Sequence, residues 1–279
     1  MRAFARNPRE REVLSRKHIA IVGIGSLGSA IADMAVRAGT GTVTLIDPDR
    51  FAEENLARHV LDSGSLGEYK VVGMSRRLLA INSELKITAL PEKFDGIPER
   101  PDVVVAATDS YQCSSRINGY SLRENVPAVF AAVWGPAKVA EVLFVIPGKT
   151  PCYECFASFR KNESEIPEDP RRYTDPDFDS TKVPGQEGLW CNVLVGAGIQ
   201  FQIVLGLVGL RDCLDDEHTL WVMNISDYDS PLQPLAVTMG KVKKGCAACD
   251  AAKLGDLAGP QSDDLAGGDS RARWSALRP

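Results

Sequence analysis

The hydrophobic pattern of the chain alternates between short apolar runs and longer stretches in which apolar and polar positions are mixed. A short apolar run between polar turns is typical of a strand covered on both faces, and the longer stretches fit helices. Up to residue 146 the pattern predicts, in chain order, strand 18–22, helix 26–38, strand 42–46, helix 68–81, strands 86–90 and 102–107, helix 111–124, and strands 127–133 and 138–146. Strands that alternate with helices predict an α/β fold with a mainly parallel sheet and flanking helices.

The pattern changes after Pro147. Residues 158–188 combine dense mixed charge with several prolines and show no apolar periodicity, which predicts a long mobile loop. Beyond this loop the sequence predicts helix 191–211 and strands 219–225 and 235–242. We expect these last strands to join the sheet in antiparallel directions.

Length and composition limit the possible classes of protein. A chain of 279 residues is long enough to bury a core without disulfides, and we predict one domain over residues 1–254. Residues 255–279 are rich in Gly, Ser and Asp, which predicts a disordered tail. The 32 Lys and Arg against 37 Asp and Glu give a net charge of -5, so no overall basic field favours nucleic acid as a partner.

Residues 192–210 contain no charged side chain over nearly the length of a membrane span. Gln200 and Gln202 lie in the middle of this segment, and no second segment of this kind follows. We therefore predict a buried core helix and no membrane partner, with close packing at its glycines, which are Gly196, Gly198, Gly206 and Gly209.

The charged first residues do not resemble a secretory signal, which predicts a cytoplasmic location. In that compartment the seven cysteines are expected to be reduced thiols, metal ligands or a nucleophile rather than disulfides.

A glycine-rich loop, Gly23-Ile24-Gly25-Ser26-Leu27-Gly28, follows the first predicted strand and opens the first long helix. Backbone N–H groups and the helix N-terminus then face an anion, which predicts a phosphate-bearing ligand held by Gly23, Gly25 and Gly28. Asp47 ends the second strand, where a carboxylate can accept hydrogen bonds from ribose hydroxyls. These features alone indicate a Rossmann-type nucleotide site, and a dinucleotide-binding oxidoreductase remains an alternative.

The following segment favours ATP over a dinucleotide. Asp49 is followed by Asn55, Arg58 and Lys70, which add an amide donor and two cations after the predicted ribose carboxylate. A triphosphate carries more charge than a dinucleotide and needs more fixed cations.

Four cysteines form two Cys-x-x-Cys pairs, Cys152 with Cys155 and Cys246 with Cys249, which we expect in loops. Paired thiolates of this spacing are typical of tetrahedral Zn²⁺ sites, and four protein ligands make such a site structural. A thioredoxin-like redox pair would leave the second pair unexplained and would need a helix that the sequence does not predict there.

Together these motifs, from about Lys17 to Asp250, resemble the ThiF/MoeB/HesA family of adenylating enzymes related to ubiquitin-activating enzymes. The resemblance implies a Rossmann-like fold with a four-cysteine zinc knuckle. It also implies that the C-terminal glycine of a ubiquitin-like or sulfur-carrier protein attacks the α-phosphate of ATP and releases pyrophosphate. A homodimer is the usual arrangement, and a conjugating enzyme or a sulfurtransferase is the expected further partner. A non-catalytic carrier-binding scaffold of the same fold is a second alternative.

The resemblance also implies residue roles. Arg58 and Lys70 would stabilise the negative charge of the phosphates, Asn55 would donate to a phosphate oxygen, and Asp109 would coordinate Mg²⁺. The alternative for Asp109 is an N-cap of helix 111–124. The family often has an arginine where this chain has Ser114, so the wall of the adenylate pocket is expected to differ.

Cys191 lies near the position at which thioester-forming members of the family carry a cysteine. A helix N-terminus lowers the pKa of a thiol and favours a nucleophile, but an inert cysteine that caps the buried helix is equally consistent with the sequence. Cys113 and Cys213 lie in helical sequence and are expected to pack as small apolar residues.

Overall fold

The computed structural model describes residues 8–134, 139–162, 188–211, 214–224, 234–237 and 245–254. Within these residues, eight strands form one sheet: β1 His18–Val22, β2 Thr42–Ile46, β3 Lys86–Leu90, β4 Val103–Ala106, β5 Ala128–Trp134, β6 Val139–Val145, β7 Leu220–Asn224 and β8 Pro234–Val237. The helices are α1 Pro8–Leu14, α2 Ser26–Ala38, α3 Lys70–Ile81, α4 Tyr111–Glu124, α5 Tyr153–Asn162, α6 Trp190–Leu207 and α7 Ala247–Leu254. Two 3₁₀ helices, Glu53–Arg58 and Ser63–Ser65, lie between β2 and α3.

The strand order is β3-β2-β1-β4-β5-β6-β7-β8. Neighbouring strands from β3 to β5 are parallel, and those from β5 to β8 are antiparallel, which confirms the predicted fold class. Val22 at the end of β1 lies beside Ile46 of β2 and Ala106 of β4, so three strands end together. We call this the carboxyl edge. The chain moves outward in opposite directions on either side of β1 and β4, and ligands of open α/β sheets bind at such a switch point.

Successive residues of the central strands belong to two separate cores. In β4, Val103 and Val105 join the core that α2 and α6 cover, whereas Val104 and Ala106 join the core that α4 covers. Both faces of the strand are therefore buried, which explains the continuous apolar run in the sequence.

Helix α6 is confirmed as a helix that packs into the core of the described structure. The Nε2 group of Gln200, which is 0% exposed, donates to the carbonyl oxygens of Ala106 and Val129 at 3.2 Å each. A Cβ atom on Gly196 would lie 3.0 Å from Val133, so this glycine allows the predicted close packing, whereas Gly198 has no atom that near. Among the described helices α6 is the one whose length and composition would fit a membrane span.

Two predictions about local structure were partly wrong. The predicted loop 158–188 begins too early, because α5 continues to Asn162, and residues 163–187 lie outside the described residues. The predicted loop position of the cysteine pairs is right for Cys152 and Cys246, which directly precede α5 and α7, and wrong for Cys155 and Cys249, which lie within these helices. Charged residues near the end of α5 obscured an apolar face that buries Phe156 and Ala157. The predicted tail 255–279 also lies outside the described residues.

Candidate functional site

The glycine loop is held by close backbone contacts that leave one side open. Gly23 has φ +87°, and a Cβ atom there would lie 2.5 Å from the carbonyl oxygen of Ala107. A Cβ atom on Gly28 would lie 1.8 Å from the carbonyl oxygen of Gly23. A Cβ atom on Gly25 would meet nothing within 4 Å. The loop therefore packs tightly beneath Gly23 and Gly28 and is accessible at Gly25, where α2 begins.

Asp47 connects β2 to the glycine loop. Its Oδ2 atom accepts from the N–H of Ile24 at 2.5 Å, and its Oδ1 atom accepts from the N–H of Asp49 at 2.8 Å. Burial raises the pKa of this carboxyl group, which is 5% exposed, while Lys70 and the two backbone donors oppose that shift. The structure thus gives Asp47 a structural function that the sequence analysis did not assign, and its contact with a ribose stays a prediction.

Lys70 and Asp49 form an ion pair at the carboxyl edge. The Nζ atom of Lys70 lies 2.8 Å from Oδ2 of Asp49, and the two side chains are 10% and 64% exposed. The N–H of Lys70 also donates to the carbonyl of Asp49 at 2.9 Å, which fixes the start of α3. The predicted cation is therefore held in place by a carboxylate that itself faces solvent.

Asn55 and Arg58 lie on the 3₁₀ helix Glu53–Arg58. The Oδ1 atom of Asn55 accepts from the N–H of Ala52 at 2.9 Å, so its amide nitrogen is the end that can donate to a ligand. Arg58 is half-buried at the end of this helix.

Asp109 follows β4, and the structure excludes the N-cap alternative for it. Ser110 is the N-cap of α4, because its Oγ atom accepts from the N–H of Cys113 at 3.2 Å. The Asp109 side chain reaches solvent, yet desolvation by the surrounding protein raises its pKa, and the nearby carboxylate of Asp49 acts in the same direction. Lys70 opposes that shift. Asp49, Lys70 and Asp109 are therefore close enough to interact electrostatically.

The four cysteines of the two pairs form one cluster, as predicted. The Sγ atoms of Cys152 and Cys155 are 3.9 Å apart, those of Cys152 and Cys246 are 3.8 Å apart, and those of Cys155 and Cys249 are 3.7 Å apart. A tetrahedron with Zn–S bonds of about 2.3 Å has sulfur atoms about 3.8 Å apart, so these residues fit Zn²⁺. We call this group the cysteine cluster.

The cysteine cluster packs on α4. The Oδ1 atom of Asn118, a buried residue of α4, accepts from the N–H of Tyr153 at 3.0 Å. The Tyr153 ring stacks on Phe130 with centroids 4.7 Å apart. The cysteine cluster is thus connected to α4 through a hydrogen bond and to the sheet through an aromatic contact.

Cys191 is exposed in the first turn of α6. Gly196 of this helix lies close to Leu27 of the glycine loop, and Gln200 bonds to the end of β4. Because a helix rises about 1.5 Å per residue, Cys191 lies about 14 Å beyond the level of Gln200, on the side of the carboxyl edge.

The remaining two cysteines, Cys113 and Cys213, are not part of the cysteine cluster. Cys113 is half-buried in α4, where burial raises the pKa of its thiol to about 11. This agrees with its predicted role as a packing residue. Cys213 lies outside the described residues.

The comparison with known families decides among the possible classes of Rossmann-like protein. The model of the ThiF family matches residues 2–248. The chain belongs to the ThiF family. This match confirms the resemblance that the motifs indicated.

The ThiF-family chain is similar to curated enzymes over part of their length. It is 31% identical over 156 residues to the sulfur carrier protein ThiS adenylyltransferase of Bacillus subtilis, covering 53% of this chain and 46% of that protein. It is 30% identical over 157 residues to the sulfur carrier protein adenylyltransferase of Thermus thermophilus, covering 53% and 58%. It is 26% identical over 164 residues to ubiquitin-like modifier-activating enzyme 5 of Drosophila ananassae, covering 53% and 41%. The chain thus spans about half the length of these relatives.

Solved structures share the fold of this ThiF-family chain. MccB of E. coli with ATP has a TM-score of 0.67 and 21% identity, covering 86% of this chain and 68% of that one. PaaA has a TM-score of 0.62 and 18% identity, covering 84% and 67%. At these identities the likeness establishes the fold alone.

Sequence reasoning missed two residues that shape the site of this ThiF-family protein. Ser110 is the N-cap described above, and its position directly before a helix was the available signal. His59 directly follows Arg58, and its ring bonds to the glycine loop. A single buried histidine after a polar turn carries no pattern that would have shown this contact.

Proposed function

We propose that this ThiF-family protein adenylates the C-terminal glycine of a ubiquitin-like or sulfur-carrier protein with ATP. The observation that carries the proposal is the convergence at the carboxyl edge of an open glycine loop, the Lys70–Asp49 ion pair and Asp109. The names of the curated relatives support the same activity, and membership of the family favours it over a dinucleotide-binding oxidoreductase.

The proposed reaction begins when a carboxylate oxygen of the terminal glycine attacks the α-phosphorus of ATP. The bond between this phosphorus and the oxygen bridging to the β-phosphate breaks, and the products are the acyl adenylate and pyrophosphate. Negative charge accumulates on the α-phosphate and on the departing pyrophosphate. Lys70 and Arg58 are fixed cations that stabilise this charge, and Asn55 donates to a phosphate oxygen.

The remaining residues of the edge orient the nucleotide. The N–H groups at the start of α2 bind a phosphate at the open side of Gly25. Asp47 keeps the loop in place, and the exposed Asp49 is available to ribose hydroxyls as well as to Lys70.

Asp109 would hold Mg²⁺. Burial and the nearby carboxylate of Asp49 both disfavour the ionised form of Asp109, a bound cation would oppose both effects, and Mg²⁺ prefers oxygen ligands of this kind. When bound, the ion neutralises phosphate charge.

In the second proposed step the thiolate of Cys191 attacks the glycyl carbonyl of the adenylate. A carbon–sulfur bond forms, the bond to the AMP phosphate oxygen breaks, and AMP leaves with a thioester as the product. The exposure of Cys191 and its place beyond the carboxyl edge support this step. The proposal extends to a cytoplasmic homodimer that passes the carrier to a conjugating enzyme or a sulfurtransferase.

The first test is ATP–pyrophosphate exchange with a candidate carrier that ends in Gly-Gly. We expect exchange that depends on the carrier and is absent with the same carrier lacking its last glycine. A melting temperature raised by NAD but not by ATP would favour the oxidoreductase. Binding of ATP and carrier without exchange would favour the scaffold.

The second test addresses Cys191 alone. Enzyme, carrier and Mg-ATP are incubated and run on non-reducing gels with and without a thiol reductant. A thiol-sensitive adduct that Cys191→Ala abolishes and Cys113→Ala retains supports the nucleophile. Full exchange without any adduct contradicts it.

A further inference from the structure

One residue of the glycine loop, Ile24, is held through both of its backbone groups. Its N–H donates to Oδ2 of Asp47, and its carbonyl oxygen accepts from Nε2 of His59 at 2.9 Å. Both partners are buried, and Ile24 itself is fully buried. The loop residue between Gly23 and Gly25 is therefore fixed from the protein side.

The hydrogen-bond partners of His59 define which ring nitrogen carries the proton. The N–H of Leu61 donates to Nδ1 at 3.0 Å, so Nδ1 is an acceptor and Nε2 carries the hydrogen that the carbonyl of Ile24 accepts. The ring also packs on Phe51 with centroids 5.0 Å apart. Burial lowers the pKa of His59 to about 4, and the cations Lys70 and Arg77 act in the same direction. His59 is thus neutral near pH 7 and adds no charge to the phosphate site.

The orientation of the Ile24 carbonyl determines where the next N–H points. In a planar trans peptide the C=O and the N–H of the following residue point in opposite directions. Because the carbonyl of Ile24 points inward at His59, the N–H of Gly25 points away from the core. A Cβ atom on Gly25 would meet nothing within 4 Å, so this residue borders open space.

We propose that His59 is a positioning residue that fixes the Ile24–Gly25 peptide, so that the Gly25 N–H faces the bound phosphate. This inference rests on the proposed function, because the phosphate belongs to ATP. His59 touches neither ATP nor the carrier in this proposal and acts through the backbone alone.

The test compares two buried histidines, His59, which bonds to the loop after β1, and His18, the first residue of β1. His59→Leu removes the hydrogen bond to the loop that follows β1. His18→Leu removes a 2.8 Å contact between Nε2 and Thr44 Oγ1 at the start of the same strand. We expect His59→Leu to raise the KM for ATP about tenfold with kcat nearly unchanged, because one hydrogen bond that orients a binding group is lost. His18→Leu is expected to lower the melting temperature without a change in KM.

His59→Gln is the conservative variant, because its amide can accept from Leu61 and donate to Ile24. We expect it to restore the KM to within about threefold of the starting protein. Equal changes of KM in His59→Leu and His18→Leu, or a loss of stability alone in His59→Leu, would overturn the proposal.

A measurement without ATP separates this inference from the proposed function. Hydrogen–deuterium exchange of the peptide covering residues 23–28 should be about tenfold faster in His59→Leu than in His18→Leu. If the starting protein shows no stabilisation by ATP, the proposed function fails, while the exchange result still decides whether His59 fixes the loop. Equal exchange in the two variants would contradict the role of His59.

Discussion

The carboxyl edge and the cysteine cluster satisfy their polar groups in different ways. At the carboxyl edge, Lys70 and Asp49 are paired, yet the carboxylate remains 64% exposed, and the glycine loop is open at Gly25. In the cysteine cluster the sulfur atoms face one another at 3.7–3.9 Å. A site that binds and releases a ligand needs an open coordination position, whereas a structural metal site does not. We therefore expect the carboxyl edge to serve ligand binding and the cysteine cluster to serve stability.

Helix α4 connects these regions. It begins next to Asp109, and its residue Asn118 accepts the hydrogen bond from Tyr153, which follows Cys152. We expect variants of the cysteine cluster to lower stability and variants of the carboxyl edge to lower activity. Measuring both properties in each variant tests this difference.

The largest effect is expected from the cysteine cluster. Cys152→Ser should lose the one Zn²⁺ per chain that we predict, because structural Zn²⁺ binding supplies on the order of 10 kcal/mol to folding. The melting temperature should fall by about 10 °C or more. Elemental analysis and thermal unfolding measure both effects, and Cys113→Ser is the control that should retain zinc. A chelator that removes no metal and leaves the melting temperature unchanged would contradict a zinc site.

Next in size are the cations at the carboxyl edge. Lys70→Ala and Arg58→Ala should each lower ATP–pyrophosphate exchange by about 10²-fold or more, because each removes a fixed group that stabilises transition-state charge. Arg76→Ala is the matched control, since Arg76 lies on the same helix as Lys70 and pairs with Glu68 in solvent. Normal exchange in both site variants would show that the assignment of these cations is wrong.

Substitutions at Gly28 and Gly25, two of the three glycines of the loop, should affect stability and ligand binding separately. Gly28→Ala places a Cβ atom 1.8 Å from a carbonyl oxygen, so we expect a loss of about 1–3 kcal/mol in the free energy of unfolding. Gly25→Ala should leave stability nearly unchanged and weaken ATP binding, because its Cβ atom enters the open side. Denaturant unfolding and ATP titration measure the two effects, and the reverse pattern would contradict the geometry of the loop.

The smallest effect on stability concerns Asp109. Because the pKa of Asp109 is raised in the folded protein, its ionised form costs stability above that pKa, and the cost disappears as the pH falls and the carboxyl group is protonated in both states. Asp109→Asn should therefore raise the melting temperature at pH 7 by about 1–2 °C, a small value because water screens an exposed carboxylate. This gain should vanish near pH 3, and exchange activity should be lost.

The control for Asp109 is Asp95→Asn, which makes the same chemical change at another exposed position. It should leave the melting temperature unchanged at both pH values. A lower melting temperature in Asp109→Asn would show that this carboxylate stabilises the fold instead of serving a ligand.

The sequence predicted the central architecture well for a physical reason. Strands β1 and β2 and helix α2 have the predicted bounds, because continuous apolar runs and a glycine loop mark their ends. Helix α5 was missed because its buried residues, Phe156 and Ala157, are followed by charged positions, and tertiary packing outweighed the local pattern.

The candidate site was predictable as a set of residue types but not as a set of contacts. Charge and spacing indicated Lys70 and Asp109. No sequence pattern shows that the carboxylate of Asp47 accepts a hydrogen bond from the glycine loop, or that His59 bonds to Ile24. Those contacts depend on which segments meet in three dimensions.

The position of α6 along the chain has a consequence for synthesis on the ribosome. This apolar helix packs against α2, β4, β5 and β6, and all of them precede it in the sequence. The carbonyl groups that Gln200 contacts, those of Ala106 and Val129, also precede it. Since translation proceeds from the N-terminus, these surfaces have already been made when the helix emerges, and Met223 of β7, which packs near Val195 and Ile199, follows later. The most apolar helix of the described structure is therefore translated after α2, β4, β5 and β6, which it packs against.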